Sequence, residues 1–302
     1  MAGRAVWGGE ARSAEIGIRC DANVNDRSGD AGKMMRAVKR RTGKNKREAS
    51  PSKKVGLARA LSKLGYCSRS RAAEVIVAGR VKLNGAVRHD PETPVYAGKD
   101  RIEIDGQAVA DASKIYLALN KPRGVVTTAA DEKNRETVYA HLPEGLPWIA
   151  PVGRLDKASE GLLLLTNDSE WAARITAPET HLDKTYHVQI SAVADERLLQ
   201  ALRNGIRAGD GEFLRVKNVR VVRQGERHSW LAIVLDEGKN RHIRRMLEEL
   251  KIEVLRLVRV AIGPLALGAL SKGATRPLDQ EEKQALDRAM RPPNREPASS
   301  VR

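Results

Sequence analysis

No hydrophobic period survives across residues 1 to about 54, which are polar, rich in Gly, Ser and Asp, and then densely basic over 36–54. Few apolar positions and much charge predict a disordered extension there. From Val55 the pattern changes. Val55, Ala58, Leu61 and Leu64 recur at helical spacing, and Gly65 stands where a C-terminal cap belongs. Ser68 is placed to cap a second helix, which carries Ala72, Val75 and Ile76 on one face and stops at Gly79. Val81-Lys82-Leu83 then reads as a strand, Asn84-Gly85 as a tight hairpin turn, and a further strand is expected near 101–104. Past Asp111 strand signals dominate. Residues 115–119 alternate and are stopped by Lys121-Pro122. The apolar run 162–165 reads as a buried strand, Tyr186, Val188 and Ile190 alternate with polar residues, and 230–235 forms another apolar segment. Helical patterns intervene at 195–204 and at 241–250, where Ile243, Met246, Leu247 and Leu250 share a face. Asn167 and Asp168 are expected to cap a helix containing Trp171 and Ile175. After about Asp279 a polar helix leads into a Pro/Arg/Ser tail expected to be disordered. The mixture predicts an α+β chain with a central mixed sheet, divided as 1–54 extension, 55–111 small domain, 112–279 larger domain and 280–302 tail.

Composition narrows the function. At 302 residues the chain has room for about two domains with their own cores. No apolar run is long enough to span a bilayer, so no membrane role is expected. Glu10, Glu15, Asp21, Asp26 and Asp30 interrupt any signal-peptide core and argue against an organellar transit peptide. Cys20 and Cys67 are too few and too far apart for a disulfide framework or a structural zinc site, and a reducing cytoplasm is the expected compartment. Met34 and Met35 directly precede the basic run, and translation is expected to start there. The formal charge of +16 calls for a polyanionic partner, and nucleic acid fits best. Residues 1–54 hold 14 Lys/Arg and 6 Asp/Glu, which is +8 and half of the excess, so the folded part is basic too. With only 3% aromatic residues, serial base stacking is not the expected mode; phosphate contacts and shape should dominate.

The chemistry must come from carboxylate, phenol and guanidinium groups. There is no Gly-rich phosphate loop, no dinucleotide fingerprint, no nucleophile elbow, and the six histidines lack zinc-ligand spacing. No cofactor is expected. In the small domain, Arg59, Lys63, Arg69, Arg71, Arg80 and Lys82 collect on one outward face, and the segment GLARALSKLGYCSRSRAAEVIVAGRVKLNG resembles the small αL RNA-binding domain first described in a ribosomal small-subunit protein, here called S-four-like. That resemblance implies RNA-phosphate contacts at Ser68, Arg69, Arg71, Arg80 and Lys82; a helix N-terminus with guanidinium groups is a sensible anion site.

Three further segments stand out: PVGRLDKASEGLLLLTND from Pro151 to Asp168, DKTYHVQ from Asp183 to Gln189, and EGKNRHIRRM from Glu237 to Met246. Together with RLVRVAIGPLALGALSKGATRPL they resemble the RsuA-type ribosomal pseudouridine synthases, over a stretch running from Val55 to about Leu278. The resemblance implies a largely antiparallel mixed sheet with flanking helices, and a cofactor-free isomerisation of one uridine in ribosomal RNA, free or in an assembling subunit; nothing in the sequence suggests more than a monomer. It implies Asp156 as the catalytic carboxylate, attacking the anomeric carbon or removing the neighbouring sugar proton, with Tyr186 stacked on the base and Arg244 paired with Asp156. Arg154, Lys239, Arg241 and Arg245 are expected to bind substrate, with one arginine of the 241–245 run at the active site. An adjacent Arg would keep a carboxylate ionised in a closed pocket, and a phenol offers both a π-face and a weak acid–base group. Ser169 and His242 depart from the family pattern, where Gly and Gln are common, and the basic extension is unusually long. The rival expectation is a non-catalytic RNA-binding or ribosome-assembly factor, and another is action on a different RNA class.

Overall fold

A computed structural model of the chain describes residues 54–96, 98–110, 112–129, 131 and 133–291. All of the expected disordered extension, 1–54, except Lys54, which begins a strand, and the end of the tail, 292–302, lie outside the described residues.

The S-four-like segment folds as its pattern dictates, around helices α1 (Leu57–Lys63) and α2 (Arg69–Val77). Leu57, Leu61, Ala72 and Ile76 are fully buried against Val81, Leu83, Ile102 and Ile104 of a four-stranded sheet. Ser68 caps α2 by accepting a hydrogen bond from the Arg71 N–H at 3.2 Å. Asn84 and Gly85 take φ of 52° and 84°, the left-handed pair that a two-residue hairpin twisted like its strands requires. Val55 departs from the helical reading. Gly56 is extended (φ −61°, ψ 149°), so the helix starts at Leu57, and Val55 lies in a short strand, Lys54–Gly56, opposite Val95.

The larger domain is built on a nine-stranded sheet. Its main path runs Asn218–Gln224, Ser229–Leu235, Lys184–Ile190, Val254–Ile262, Glu160–Thr166, Tyr116–Lys121 and Thr275–Pro277. All these neighbours are antiparallel except Val254–Ile262 with Glu160–Thr166, a parallel ladder only two residue pairs long, Val258 with Glu160 and Arg259 with Gly161. Two antiparallel halves therefore meet at a short parallel seam. On one half, α4 (Glu196–Asn204) and α5 (His242–Glu249) pack Leu199, Leu202, Met246 and Leu247 onto Val188, Ile190, Leu231 and Ile233. On the other half both faces are covered, which explains the unbroken Leu162–Leu165 run. Leu162 and Leu164 face Trp171, Ile175 and Leu286, whereas Leu163 and Leu165 face Val138, Ile149 and Leu155.

Three strands, Asn218–Gln224, Val254–Ile262 and Thr275–Pro277, are not among those predicted. Asp168 caps α3 (Ser169–Thr176) as expected, accepting from the N–H groups of Glu170 and Trp171. Asn167 does not. Its side chain bridges the linker, accepting from the Ile115 N–H at 2.9 Å and donating to the Ser113 carbonyl at 2.9 Å. The final helix, α6 (Gln280–Ala289), opens with a capping box at Asp279 and Glu282, as a polar start predicts, yet it buries Leu286 and Met290 in the second half's core. It is thereby part of the larger domain's packing.

Candidate active site

Asp156 sits in the loop that feeds Glu160–Thr166, at the seam between the two halves of the sheet. What holds this loop comes almost wholly from elsewhere in the chain. The Leu155 carbonyl accepts from the Thr127 hydroxyl at 2.8 Å and the Lys157 carbonyl from the Gly124 N–H at 2.8 Å. The Ala158 carbonyl accepts from an Arg244 Nη2 at 3.0 Å. Lys121 donates its Nζ to three carbonyls, those of Pro122 (3.0 Å), Asp156 (3.2 Å) and Ser159 (2.9 Å), and the Ser159 N–H returns to the Asp156 carbonyl at 2.9 Å. Five consecutive carbonyls, 155 to 159, are thus all engaged, and the loop is fixed before any substrate arrives.

The loop walls a cavity of about 320 Å³. Asp156, Tyr186, Arg244, Arg154, Lys239 and Arg241 all line it. Tyr186 reaches it from Lys184–Ile190, where its neighbour on Val254–Ile262 is Arg259. Arg154 belongs to the Asp156 loop, Arg244 to the first turn of α5 and Arg241 to the turn into that helix. That turn is tight, with Arg241 in the left-handed region at φ 48°, a conformation that costs a non-glycine residue something and is found at functional turns. Two arginines of the run, 241 and 244, line the cavity rather than the single one expected. Arg245 turns away and is held by Asp210 at 2.6 Å and Glu212 at 2.7 Å, because its position one step along the helix faces the ribbon that carries those acids. Arg244 does not form an ion pair with Asp156; it grips the Ala158 carbonyl instead. Burial and repulsion from Arg241 lower its pKa, and the attraction of Asp156 works against both.

Sequence reasoning missed several groups here. Lys121 was read only as part of a strand stop. Burial pushes its pKa down to about 8, with Asp156 and Glu160 pulling the other way. The signal was available, since Leu117, Leu119 and Lys121 alternate and all three are buried. Arg259, also buried, donates its Nε to the Leu162 carbonyl at 2.7 Å and lines the cavity. Glu160 is buried and bound by Arg256 through Nε (2.9 Å) and Nη2 (3.0 Å) and by Lys272 at 2.8 Å. The Arg256 hydrogen bonds above all take its carboxyl down to about 2. His242 is buried at the cavity wall, and burial lowers its pKa first, followed by repulsion from Lys239. The Arg215 carbonyl lies near enough to favour the protonated ring slightly, but neither ring nitrogen makes a hydrogen bond. The buried Arg244 Nε and Arg259 Nη2 likewise lack a protein partner. Among the described residues no group of three or more His, Cys, Asp or Glu is placed to hold a metal ion, and no helix is long and apolar enough to cross a membrane.

On the S-four-like domain, Arg69, Arg71, Arg80 and Lys82 are exposed, but two of them are paired within the domain: Arg71 with Glu74 at 2.6 Å and Arg80 with both carboxylate oxygens of Asp105. The Ser68 oxygen is engaged as the cap of α2.

Comparison with known proteins agrees with this architecture. Residues 115–249 match the RNA pseudouridylate synthase family and residues 55–102 match the S4 domain. An uncharacterized RNA pseudouridine synthase of Aquifex aeolicus is 38% identical over 76% of this chain and 92% of its own length. Ribosomal large subunit pseudouridine synthase B of Bacillus subtilis is 36% identical over 76% of this chain and 94% of its own. A crystal structure of a pseudouridylate synthase superimposes with a TM-score of 0.54 at 29% identity, covering 77% of this chain and 99% of that one. A cavity built at the seam of a mixed sheet, an RNA-binding domain ahead of it and relatives matched along nearly their whole length lead to one conclusion: the chain belongs to the RNA pseudouridine synthase family and isomerises uridine in RNA to pseudouridine.

Proposed function

We propose that the substrate is ribosomal RNA and that Asp156 is the catalytic carboxylate. The observation that carries this reading is the clamped loop, which presents the Asp156 side chain to a cavity shared with Tyr186 and Arg244. Breaking the glycosidic bond needs a carboxylate held near the ribose, either to attack the anomeric carbon or to take the neighbouring sugar proton. The uracil leaves with the bonding pair on its ring nitrogen and turns. Its carbon 5 then bonds to the anomeric carbon as the carboxylate departs from that carbon (or returns the sugar proton). The ring nitrogen takes up a proton while the carbon-5 proton is lost. Tyr186 flanks the base and receives or relays that proton. Arg244 acts on Asp156 at short range, tethering the loop through Ala158 and adding a positive field to the carboxylate. The target uridine must leave its stack to enter, and the rim cations Arg154, Lys239 and Arg241 bind the displaced backbone. Ser68, Arg69, Arg71, Arg80 and Lys82 take phosphates further along the RNA, Arg71 and Arg80 by exchanging exposed partners of modest strength. The protein acts as a monomer in the cytoplasm.

The test is pseudouridine mapping of ribosomal RNA, by carbodiimide modification and primer extension, in cells with and without the gene. One site should vanish on deletion and return with the wild type but not with Asp156→Asn, a variant that keeps RNA binding. Full turnover by Asp156→Asn overturns the assignment of the carboxylate. An unchanged map redirects the search to other RNA classes and then to a non-catalytic binding factor.

A further inference from the structure

The only phenylalanine of the chain is Phe213, and it is 48% exposed. It lies in a small two-stranded ribbon, Ile206–Arg207 with Phe213–Leu214, in which Phe213 stands directly opposite Arg207. One exposed aromatic residue is ordinary. This one has a fitted seat. A Cβ on Gly205 would lie 2.3 Å from the Phe213 Cζ and 2.9 Å from both Cε atoms, so the ring tip rests against bare backbone that any larger residue would occupy. Gly205 also takes φ 89°, which favours glycine on its own account. The ribbon is then tied to the rim of the catalytic cavity. Lys239, which lines the cavity, donates its Nζ to the Phe213 carbonyl at 3.1 Å. Asp210 and Glu212 of the ribbon are bound by Arg245 of α5, which offsets one of their two negative charges. Arg207 is exposed, and its Nη1 is held by the Gly211 carbonyl.

We infer that Phe213 is a stacking platform for an unpaired RNA base beside the target uridine, with Arg207 next to it for the phosphate. This inference rests on the proposed reading of the cavity. Each element of the arrangement is what such a platform needs: a ring held by one edge, a second surface open to solvent, a cation across the ribbon, and a rigid link to the site where the neighbouring nucleotide is turned out. A uridine leaving its stack uncovers the faces of its neighbours, and an aromatic ring at the rim covers one of them. The low aromatic content of the chain fits a single such contact in place of a run of them.

The experiment uses full-length protein and ribosomal RNA from cells lacking the gene, labelled with tritium at carbon 5 of uridine. Tritium release gives kcat and KM, and filter retention of the same RNA gives Kd. Phe213→Leu keeps apolar cover over Gly205 and removes the π-face; Phe213→Trp restores a larger one. Base–aromatic stacking lost from one base corresponds to roughly a 5- to 150-fold weakening. We expect KM and Kd of Phe213→Leu to rise about tenfold, kcat to stay within about twofold, and Phe213→Trp to recover wild-type values or better. Wild-type KM and Kd for Phe213→Leu overturn the inference. So does equal impairment of the Leu and Trp variants, which would mark Phe213 as packing alone. If the wild type releases no tritium, the reading of the cavity fails, while the Kd comparison still decides on Phe213.

Discussion

Replacing Lys121 with Met removes a buried amine while keeping the length of the side chain, so the hydrogen bonds and the charge are what is lost. The amine is fully buried and donates to the carbonyls of Pro122, Asp156 and Ser159. Its pKa falls from 10.5 to about 8, which corresponds to a penalty of about 3 kcal/mol for carrying the proton in the folded state at neutral pH. Met relieves that penalty. Against it, each stranded buried acceptor costs about 1–3 kcal/mol. The Asp156 carbonyl keeps the Ser159 N–H, so two carbonyls are stranded and the loss is about 2–6 kcal/mol. The two effects largely offset one another, and global stability should change by ~3 kcal/mol or less. Catalysis has no such cancellation, because the loop of Asp156 loses two tethers and a neighbouring positive charge. One charge-assisted hydrogen bond, about 1.5–3 kcal/mol, translates into roughly 10- to 150-fold in rate. Tritium release should therefore show kcat down about 100-fold with RNA affinity near wild type, and urea denaturation should show a small shift in midpoint. A wild-type kcat refutes the reasoning, as does a loss of activity that merely follows a collapse in stability. There is also a signature in pH. The folded pKa lies below the unfolded one, so between pH 8 and 10.5 the unfolded chain holds more protons and stability rises with pH. The Met variant should lack that rise.

Two further variants probe the seam. Glu160→Gln breaks the bonds to Arg256 and Lys272, whose side chains are 41% and 55% exposed and can return to water, so the loss should be about 1–3 kcal/mol, below that for a fully buried pair. Because the folded pKa of about 2 lies below 4.5, the Glu160 contribution is present above pH 4.5 and fades as pH falls toward 2; identical acid-unfolding curves for variant and wild type would show the triad to be inert. Gly161→Ala places a Cβ 2.3 Å from the Arg259 carbonyl oxygen at a residue with φ 101°, where neither backbone can yield. A loss of roughly 4 kcal/mol or more, about 10 °C in Tm, should follow, and a calorimetric Tm within a few degrees of wild type would contradict it.

What the sequence made legible is what local physics controls. The helices at 57–63, 69–77, 196–204 and 242–249 have periods and stops within or beside their own residues, Ser68 and Asp195 cap two of them, and the Asn84-Gly85 hairpin depends on local dihedral angles alone. The Val254–Ile262 strand was hidden because it has Arg259 on the buried face and Arg256 and neighbours half-buried on the other, so no clean alternation of apolar and polar residues survives. Val55 misled for the opposite reason. Its burial comes from pairing with Val95 forty residues away, and three apolar residues at helical spacing downstream drew it into the wrong element. The last helix was legible as a polar helix but was assigned to the tail, since only Leu286 and Met290 enter the core, and two apolar positions four apart do not announce a packed face.

The site divides along the same line. The residues proposed to carry the chemistry, Asp156, Tyr186 and Arg244, stand out in the sequence because their motifs are distinctive, and the fold brings all three to one cavity. The residues that make the site rigid carry no such mark. The carbonyls of 155–159 are held by a hydroxyl at Thr127, a backbone N–H at Gly124, an amine at Lys121, a guanidinium at Arg244 and the loop's own Ser159 N–H. These are ordinary donors from separate elements, and nothing at their own positions says which acceptor they serve. Lys121 is the partial exception, because a cation in the buried phase of an alternating strand needs acceptors and therefore implies a cluster of free carbonyls nearby. That implication is a rule a sequence can supply in advance. A charged residue that falls in register with Leu117 and Leu119 marks the place where a loop without regular structure is being held, and in this chain that loop is the one that carries Asp156.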